Sequence, residues 1–204
     1  MSKGTPRVLF VCTGNICRSP TAEGVLRQLA RQFGMAVHVE SAGTGDWHVG
    51  LPPDERAQHH ARSRGYDLSA QRARKVRPRD FEDFDMIVAM DRGHLRILQQ
   101  HCPPQHRHKL RMLVRGHDVP DPYYGGPEGF EQVLDMVEAA CLGLLHELKT
   151  PPAELDLLPR LDLLQILFLR RRLRPLAPRA AEVRLRLVHL RHVLRLAAVG
   201  LDHD

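Results

Sequence analysis

The run Arg7-Val8-Leu9-Phe10-Val11-Cys12-Thr13-Gly14-Asn15-Ile16-Cys17-Arg18-Ser19-Pro20, residues 7–20, changes its structural rule twice. Residues 7–12 are apolar without alternation, the pattern of a short strand buried on both faces of a parallel sheet. Residues 13–17 are mostly small and polar, which reads as a turn. Ser19 before Pro20 then reads as a hydroxyl N-cap followed by proline at the first helical position. Val25, Leu26, Leu29, Ala30 and Phe33 share one face of the helix that follows, and Gly34 closes it. Residues 36–42 read as a second strand, so the chain opens with a βαβ unit.

Working outward, the same alternation continues. Residues 53–64 are expected to be helical, 86–90 a strand, 94–101 helical and 109–114 a strand. A loop dense in Gly, Asp and Pro covers 115–126, and residues 127–149 carry Phe130, Val133, Leu134, Val137, Ala140, Cys141, Leu144 and Leu148 at helical spacing. Strands alternating with helices argue for an α/β fold, a parallel sheet covered on both faces, with its ligand site beyond the carboxyl ends of the strands. The loops after Val11, Ala42 and Val114 are therefore expected to meet. Pro151 and Pro152 mark a boundary, dividing the chain into a domain over 1–150 and an extension over 151–204.

The 204 residues are enough for one sizeable core with a segment left over, and the 43% hydrophobic and 26% charged fractions are those of an ordinary globular protein. No apolar run approaches the roughly 20 residues needed to span a bilayer, and residues 1–7 show no signal-peptide core. Cys12, Cys17, Cys102 and Cys141 are too few and too scattered for a disulfide framework, and no pair has zinc-ligand spacing. A cytoplasmic protein without metal or cofactor is the expectation. The formal charge of +6 is uneven, since residues 151–204 hold ten Arg against six acids. The remainder lacks the basic stripe with interleaved aromatics of a nucleic-acid surface, so no nucleic-acid partner is expected.

Between the first strand and the first helix, a cysteine and an arginine are separated by five residues. The spacing alone is weak, because about half a match is expected by chance at this content of Cys and Arg. Its position is informative. A loop joining a strand to a helix N-terminus can aim several backbone N–H groups and the helix dipole at one anion. Ordinary thiols are mostly protonated at neutral pH, and a helix N-terminus with a nearby cation favours the thiolate nucleophile. Cys12 stands where both act. Arg18 offers a planar fork for two phosphoryl oxygens that lysine does not imitate. Gly14 and Asn15 both tolerate positive φ, and the Ser19 hydroxyl can donate to the sulfur. Cys17 is within reach of Cys12 along a curled loop, which leaves two readings open: packing, or a reversible disulfide that protects the nucleophile.

A phosphate monoester departs more readily when its leaving oxygen is protonated, so an acid is expected on the side opposite the thiolate, away from Arg18. Asp121-Pro122-Tyr123-Tyr124 supplies a carboxyl group, a stiff backbone and two rings able to wall a slot for a phenyl group.

Together, Val11 to Pro20 near the N-terminus and Asp121 to Tyr124 before the last helix resemble the low-molecular-weight protein tyrosine phosphatases. Ser41-Ala42-Gly43-Thr44 and the segment from Asp85 to Asp91 are similar too. The resemblance covers about residues 5–149. It implies a flavodoxin-like three-layer sandwich with a four-stranded parallel sheet, a phosphocysteine intermediate, no metal, and a phosphotyrosine-bearing protein as substrate. By position it implies Cys12 as nucleophile, Arg18 as phosphate binder and Asp121 as acid, then base. It adds Thr13, Gly14, Asn15, Ile16, Cys17 and Ser19 as the binding loop, with Asn15, Ser19 and Ser41 in a network shaping that loop. Trp47, Tyr123 and Tyr124 would be walls of the slot, with core packing the competing reading for Trp47.

Three rivals are open to weighing. An arsenate reductase of this fold needs a relay of further cysteines, whereas Cys102 and Cys141 stand apart in the sequence. Phosphoarginine hydrolysis is associated with Thr after the loop asparagine, where this chain has Ile16. A non-catalytic phosphate-binding module needs neither thiol nor acid. In the extension, Val183, Leu187, Leu190, Leu194 and Ala197 share a helical face with Arg184, Arg191 and Arg195 on another, after a Leu-rich stretch over 161–173. That pattern fits a helical segment lying on an anionic membrane or a protein partner, and equally an extension with no selected role.

Overall fold

A computed structural model describes residues 4–149. The expected Leu/Arg-rich helical extension, and with it the proposed membrane or partner contact of residues 151–204, lies outside the described residues. Among the described residues four strands, β1 (Arg7–Cys12), β2 (His38–Gly43), β3 (Met86–Ala89) and β4 (Leu110–Met112), form one sheet in the order β2-β1-β3-β4. Every pairing is parallel, with Val11 opposite Ala42 on one side and Ala89 on the other. Because β1 is flanked on both edges, its residues 8–11 are fully buried, as their unbroken apolar run implies.

Among the described residues five α-helices flank the sheet: α1 (Arg18–Gln32), α2 (Glu55–Ser63), α3 (Asp80–Asp83), α4 (Arg92–His101) and α5 (Pro127–Lys149). Successive side chains of a strand point to opposite faces. Leu9, Val11, Ile87 and Ala89 therefore enter one core layer, together with Phe81 of α3, Phe84, Leu98 of α4 and Cys102. The opposite layer is built from α1, packed against β1, β2 and the long closing helix α5. The result is the three-layer α/β sandwich.

Local chemistry sets most boundaries. Gly34, at φ 64°, ends α1: its N–H donates to the Arg31 carbonyl while that of Met35 reaches Ala30. The α2 helix begins after Asp54, whose carboxylate accepts from the Arg56 N–H at 2.9 Å, rather than at Pro53. Arg64, just past the end of α2, draws that helix to α5 through Glu131, Asp135 and Glu138. The α4 helix starts at Arg92, two residues earlier than expected, because Asp91 caps it by accepting from the His94 N–H at 2.8 Å. Strand β4 is shorter than the expected 109–114. A 3₁₀ turn over Pro104–Lys109 precedes it, and Val114 pairs with His117 as the chain turns away.

One expectation is corrected at the head of α1. The helix begins at Arg18, with Cys17 at the cap position and no side chain capping it, so Ser19 is already inside the helix. Its hydroxyl is engaged by tertiary partners instead.

Candidate active site

At the carboxyl edge of the sheet, β1 ends on Cys12 and the chain curls through residues 13–17 into α1. The curl is held from several sides. The N–H groups of Thr44 and Gly45 donate to the Cys12 and Thr13 carbonyls, each at 2.9 Å, so the loop after β2 is bonded directly to the loop after β1. Between these loops lies Gly43, where a Cβ would come within 2.6 Å of the Thr13 carbonyl and 3.3 Å of the Asn15 nitrogen. Only glycine lets the backbones approach this closely.

Asn15 has φ 56°, alone among the described non-glycine residues in the left-handed region. Asparagine tolerates that conformation, and its buried side chain is fully engaged. Its Nδ2 donates to Ser19 Oγ at 2.9 Å and to Ser41 Oγ at 2.8 Å, while its Oδ1 accepts from the Arg74 backbone N–H at 2.9 Å. Ser41 in turn donates to Glu23 Oε2 at 2.6 Å. Gly14 does not adopt positive φ; its lack of a side chain makes room for the His48 ring, which a Cβ would meet at 2.8 Å.

The Cys12 sulfur lies at the centre of this cup. Ser19 Oγ is 3.0 Å from it, and the Asn15 backbone N–H donates to it at 3.3 Å. Cys17 faces away, into an apolar cluster with Ala57 and Phe130 against which Ile16 packs. Burial pushes the Cys17 thiol up, with Asp54 and then Cys12 adding to the effect, so this sulfur stays protonated.

Arg18 is almost wholly buried, and its guanidinium is shared. One end, Nη1, donates to Asp91 Oδ2 at 2.8 Å and to the Val119 carbonyl at 3.2 Å; the other, Nη2, donates to Asp121 Oδ2 at 2.7 Å. Burial works to raise the Asp91 carboxyl, but the His94 ring and N–H and the Arg18 charge outweigh it and hold the group well below the usual carboxylate range. Asp91 is a fixed anion.

Asp121 corrects an expectation. Leaving-group chemistry puts the acid away from Arg18, yet in the structure the two are paired. The cause is Val119, two residues upstream, which docks its own N–H on the Met90 carbonyl and its carbonyl on Arg18. Asp121, in the loop after β4, nonetheless reaches Arg18 at the end of the loop that Cys12 begins. The Asp121 side chain is 47% exposed, in contrast with Arg18 at 5%. Beside it, the rings of Tyr123 and Tyr124 meet edge to face with centroids 4.9 Å apart, and Tyr124 is almost entirely open to solvent. Arg56 lies over Tyr123 and bonds its carbonyl at 3.1 Å, tying the start of α2 to this loop. Trp47 is 72% exposed, which removes the core-packing reading; its ring covers Gly45 in the turn bonded to the phosphate-loop backbone.

Several participants carry no local signal. Asp91, a residue of N-cap type ahead of the helix expected over 94–101, could have been found as its cap, but its second oxygen serves Arg18 from 73 positions away. Glu23, the backbone of Arg74, His94 and Arg56 likewise enter through tertiary contacts alone.

The sequence model of the low molecular weight phosphotyrosine protein phosphatases matches residues 7–153. A low molecular weight protein-tyrosine-phosphatase of Streptomyces coelicolor is 45% identical over 152 residues, covering 69% of this chain and 92% of the relative. Low molecular weight protein-tyrosine phosphatase A of Mycobacterium tuberculosis is also 45% identical, over 147 residues covering 67% and 88%. The crystal structure of a protein tyrosine phosphatase from Entamoeba histolytica superimposes with a TM-score of 0.69 at 38% identity, covering 71% of this chain and 97% of that one. With its anion cup at the end of β1, its parallel sheet and these matches running from the first strand to the last helix, the chain belongs to the low molecular weight phosphotyrosine protein phosphatase family.

Proposed function

We propose that Cys12, Arg18 and Asp121 carry the protein-tyrosine-phosphatase activity of this chain, which hydrolyses phosphotyrosine and aryl phosphate monoesters through a phosphocysteine intermediate. The observation that supports this assignment best is the meeting of Arg18, which closes the cup around Cys12, with Asp121, a carboxylate 103 positions further along the chain.

The phosphoryl group enters the cup formed by the backbone N–H groups of Thr13, Gly14, Asn15, Ile16, Cys17 and Arg18, at the N-terminus of α1. Its oxygens take Arg18 Nη2, so Asp121 leaves that nitrogen and turns to the ester oxygen. In the first step the Cys12 thiolate attacks phosphorus; the S–P bond forms, the P–O ester bond breaks, and the Asp121 proton passes to the departing phenol. In the second step the Asp121 carboxylate takes a proton from water, the water oxygen attacks phosphorus, and the S–P bond breaks to release inorganic phosphate. Ser19 donates to the sulfur as its charge returns. Arg18 and the amides carry the charge stabilisation in both steps, without a metal. Trp47, Tyr123 and Tyr124 line the mouth and meet the phenyl ring.

The rivals fit less well. Cys102 ends α4 at the far end from Asp91, about 15 Å along a helix of this length, and Cys141 is completely buried in α5. Burial pushes both thiols up, which is unsuited to a cysteine relay. Ile16 gives the phosphate loop an apolar shoulder rather than a hydroxyl.

The phosphatase unit is assigned to residues 1–150 and residues 151–204 to an extension. Among the described residues no helix is long and apolar enough to cross a membrane. Cys12, Cys17, Cys102 and Cys141 are all free thiols, which supports a reducing cytoplasm. The deciding experiment compares turnover of phosphotyrosine, phosphoserine, phosphoarginine and arsenate in the presence of chelator. Phosphotyrosine is expected to lead by at least about a hundredfold; equal or better turnover of phosphoarginine or arsenate overturns the assignment.

A further inference from the structure

His94 has no part in the two chemical steps, yet it is 3% exposed and touches both ends of the phosphate loop's support. Its Nε2 lies 2.7 Å from Thr13 Oγ1, and its Nδ1 lies 2.9 Å from Asp91 Oδ1, the oxygen that also accepts from the His94 backbone N–H. The other oxygen of Asp91 holds Arg18 at 2.8 Å. A single ring therefore joins the residue after the nucleophile to the carboxylate that fixes the arginine.

The protons on this ring follow from its neighbours. Asp91 is an anion, and a bare nitrogen lone pair 2.9 Å from its oxygen would be repelled, so Nδ1 carries a hydrogen. The contact is out of line for a hydrogen bond, and Nδ1 has no other partner, so the attraction is mainly electrostatic. In the neutral ring Nε2 is then the acceptor, and the Thr13 hydroxyl donates to it. The chain of contacts runs Thr13, His94, Asp91, Arg18, closing a bracket around the outside of the cup whose inside is closed by Asn15 and Ser19. Displacing reacting groups by about 1 Å can lower a rate about a hundredfold, so a bracket of this kind has leverage.

We propose that His94 is a positioning residue that fixes Thr13 and Arg18 relative to each other, through Thr13 on one ring nitrogen and Asp91 on the other. This rests on the assignment of Cys12 and Arg18 above and adds a residue to it. The specific expectation is that loss of the ring loosens phosphate binding as well as catalysis, because the geometry of the anion cup itself is altered.

The test uses the full chain with Thr13→Val, His94→Ala, His94→Gln and the Thr13→Val/His94→Ala double variant. Each is assayed for kcat/KM on an aryl phosphate, competitive inhibition by inorganic phosphate, and Tm. Thr13→Val and His94→Ala should each weaken phosphate inhibition and lower kcat/KM by about tenfold, the scale of one lost buried hydrogen bond. The double variant should be no worse than His94→Ala, since the two residues act through one contact. His94→Gln, whose amide can still meet the Thr13 hydroxyl, should recover much of the loss. Phosphate inhibition within twofold of wild type in both folded His94 variants overturns the proposal, as do losses that multiply in the double variant. If His94→Ala does not fold, Thr13→Val and His94→Gln decide the question through phosphate inhibition, and values within twofold of wild type in both overturn it. A Cys12→Ser control separates the two levels: activity surviving that change refutes the nucleophile, while its loss alongside unchanged His94 variants refutes the bracket alone.

Discussion

The two halves of the site are built in opposite ways. Cys12, Asn15 and Ser19 are buried and bound to one another and to β2 by hydrogen bonds between 2.8 and 3.3 Å, and Arg18, also buried, is held by Asp91 and the Val119 carbonyl. Asp121, Tyr123 and Tyr124 lie on a surface loop, and their fixed contacts are few: Arg18 and the Tyr123 N–H on Asp121, Arg56 on Tyr123, and each ring on the other. The buried half faces the phosphoryl group, which is the same in every monoester. The exposed half faces the leaving group and the protein that carries it, which vary. Burial preorganises donors where the charge is invariant, and exposure leaves the variable side adaptable.

Substitutions test this division. Cys12→Ser should show the largest effect, a loss of kcat of about a thousandfold or more, since no other group in the cup can form the covalent intermediate. Steady-state assay of an aryl phosphate, with trapping of phosphoenzyme by rapid acid quench, is the measurement. Asp121→Ala should lower kcat/KM for phenyl phosphate by about a hundredfold, but by under about tenfold for an aryl phosphate whose phenolate already leaves well. Equal losses on the two substrates would remove the proton-donor role and, with it, the division of labour. Asn15→Ala breaks three side-chain hydrogen bonds and strains positive φ, so activity should fall by about ten- to a hundredfold and Tm by several degrees. Asn15→Gly relieves the φ strain alone and should recover the smaller share.

The next effect is on acid stability. The carboxyl of Asp91 is held below its ordinary range, so its contribution is present above about pH 4 and is lost as pH falls below that. In Asp91→Asn the Tm should already be lower at pH 7 and should decline less steeply between pH 5 and 3 than in the wild type, by scanning calorimetry. On the exposed side, Tyr124→Ala should be the mildest, raising KM for a phosphotyrosine peptide about threefold while leaving kcat and Tm near wild type.

The buried half is also the more legible in the sequence. Cys12 and Arg18 can be read because a parallel-strand pattern runs into the loop and a helical face follows it, both of them local signals. Asp121 is legible as a residue but not in its pairing, because the docking of Val119 on Met90 and Arg18 is tertiary. Ser19 reads as a cap and is not one: Ser-Pro is a strong local signal, but Cys12 and Asn15 take its hydroxyl. Asp91 lies outside the helix expected over 94–101, so neither its capping role nor its hold on Arg18 is part of that expectation; one carboxylate serves a helix and a distant arginine without any trace in the spacing. The α3 helix, four residues long, is too short to display a period.

The close approach at Gly43 has a consequence for protein engineering. The curl of residues 13–17 is cast against the end of β2 as against a mould, with the Thr13 carbonyl and the Asn15 nitrogen pressed where a side chain would otherwise be. Transplanting the Cys-to-Arg segment into another strand–helix junction would therefore carry the letters without their shape, unless the recipient also offers a neighbouring parallel strand that ends in glycine at the same register.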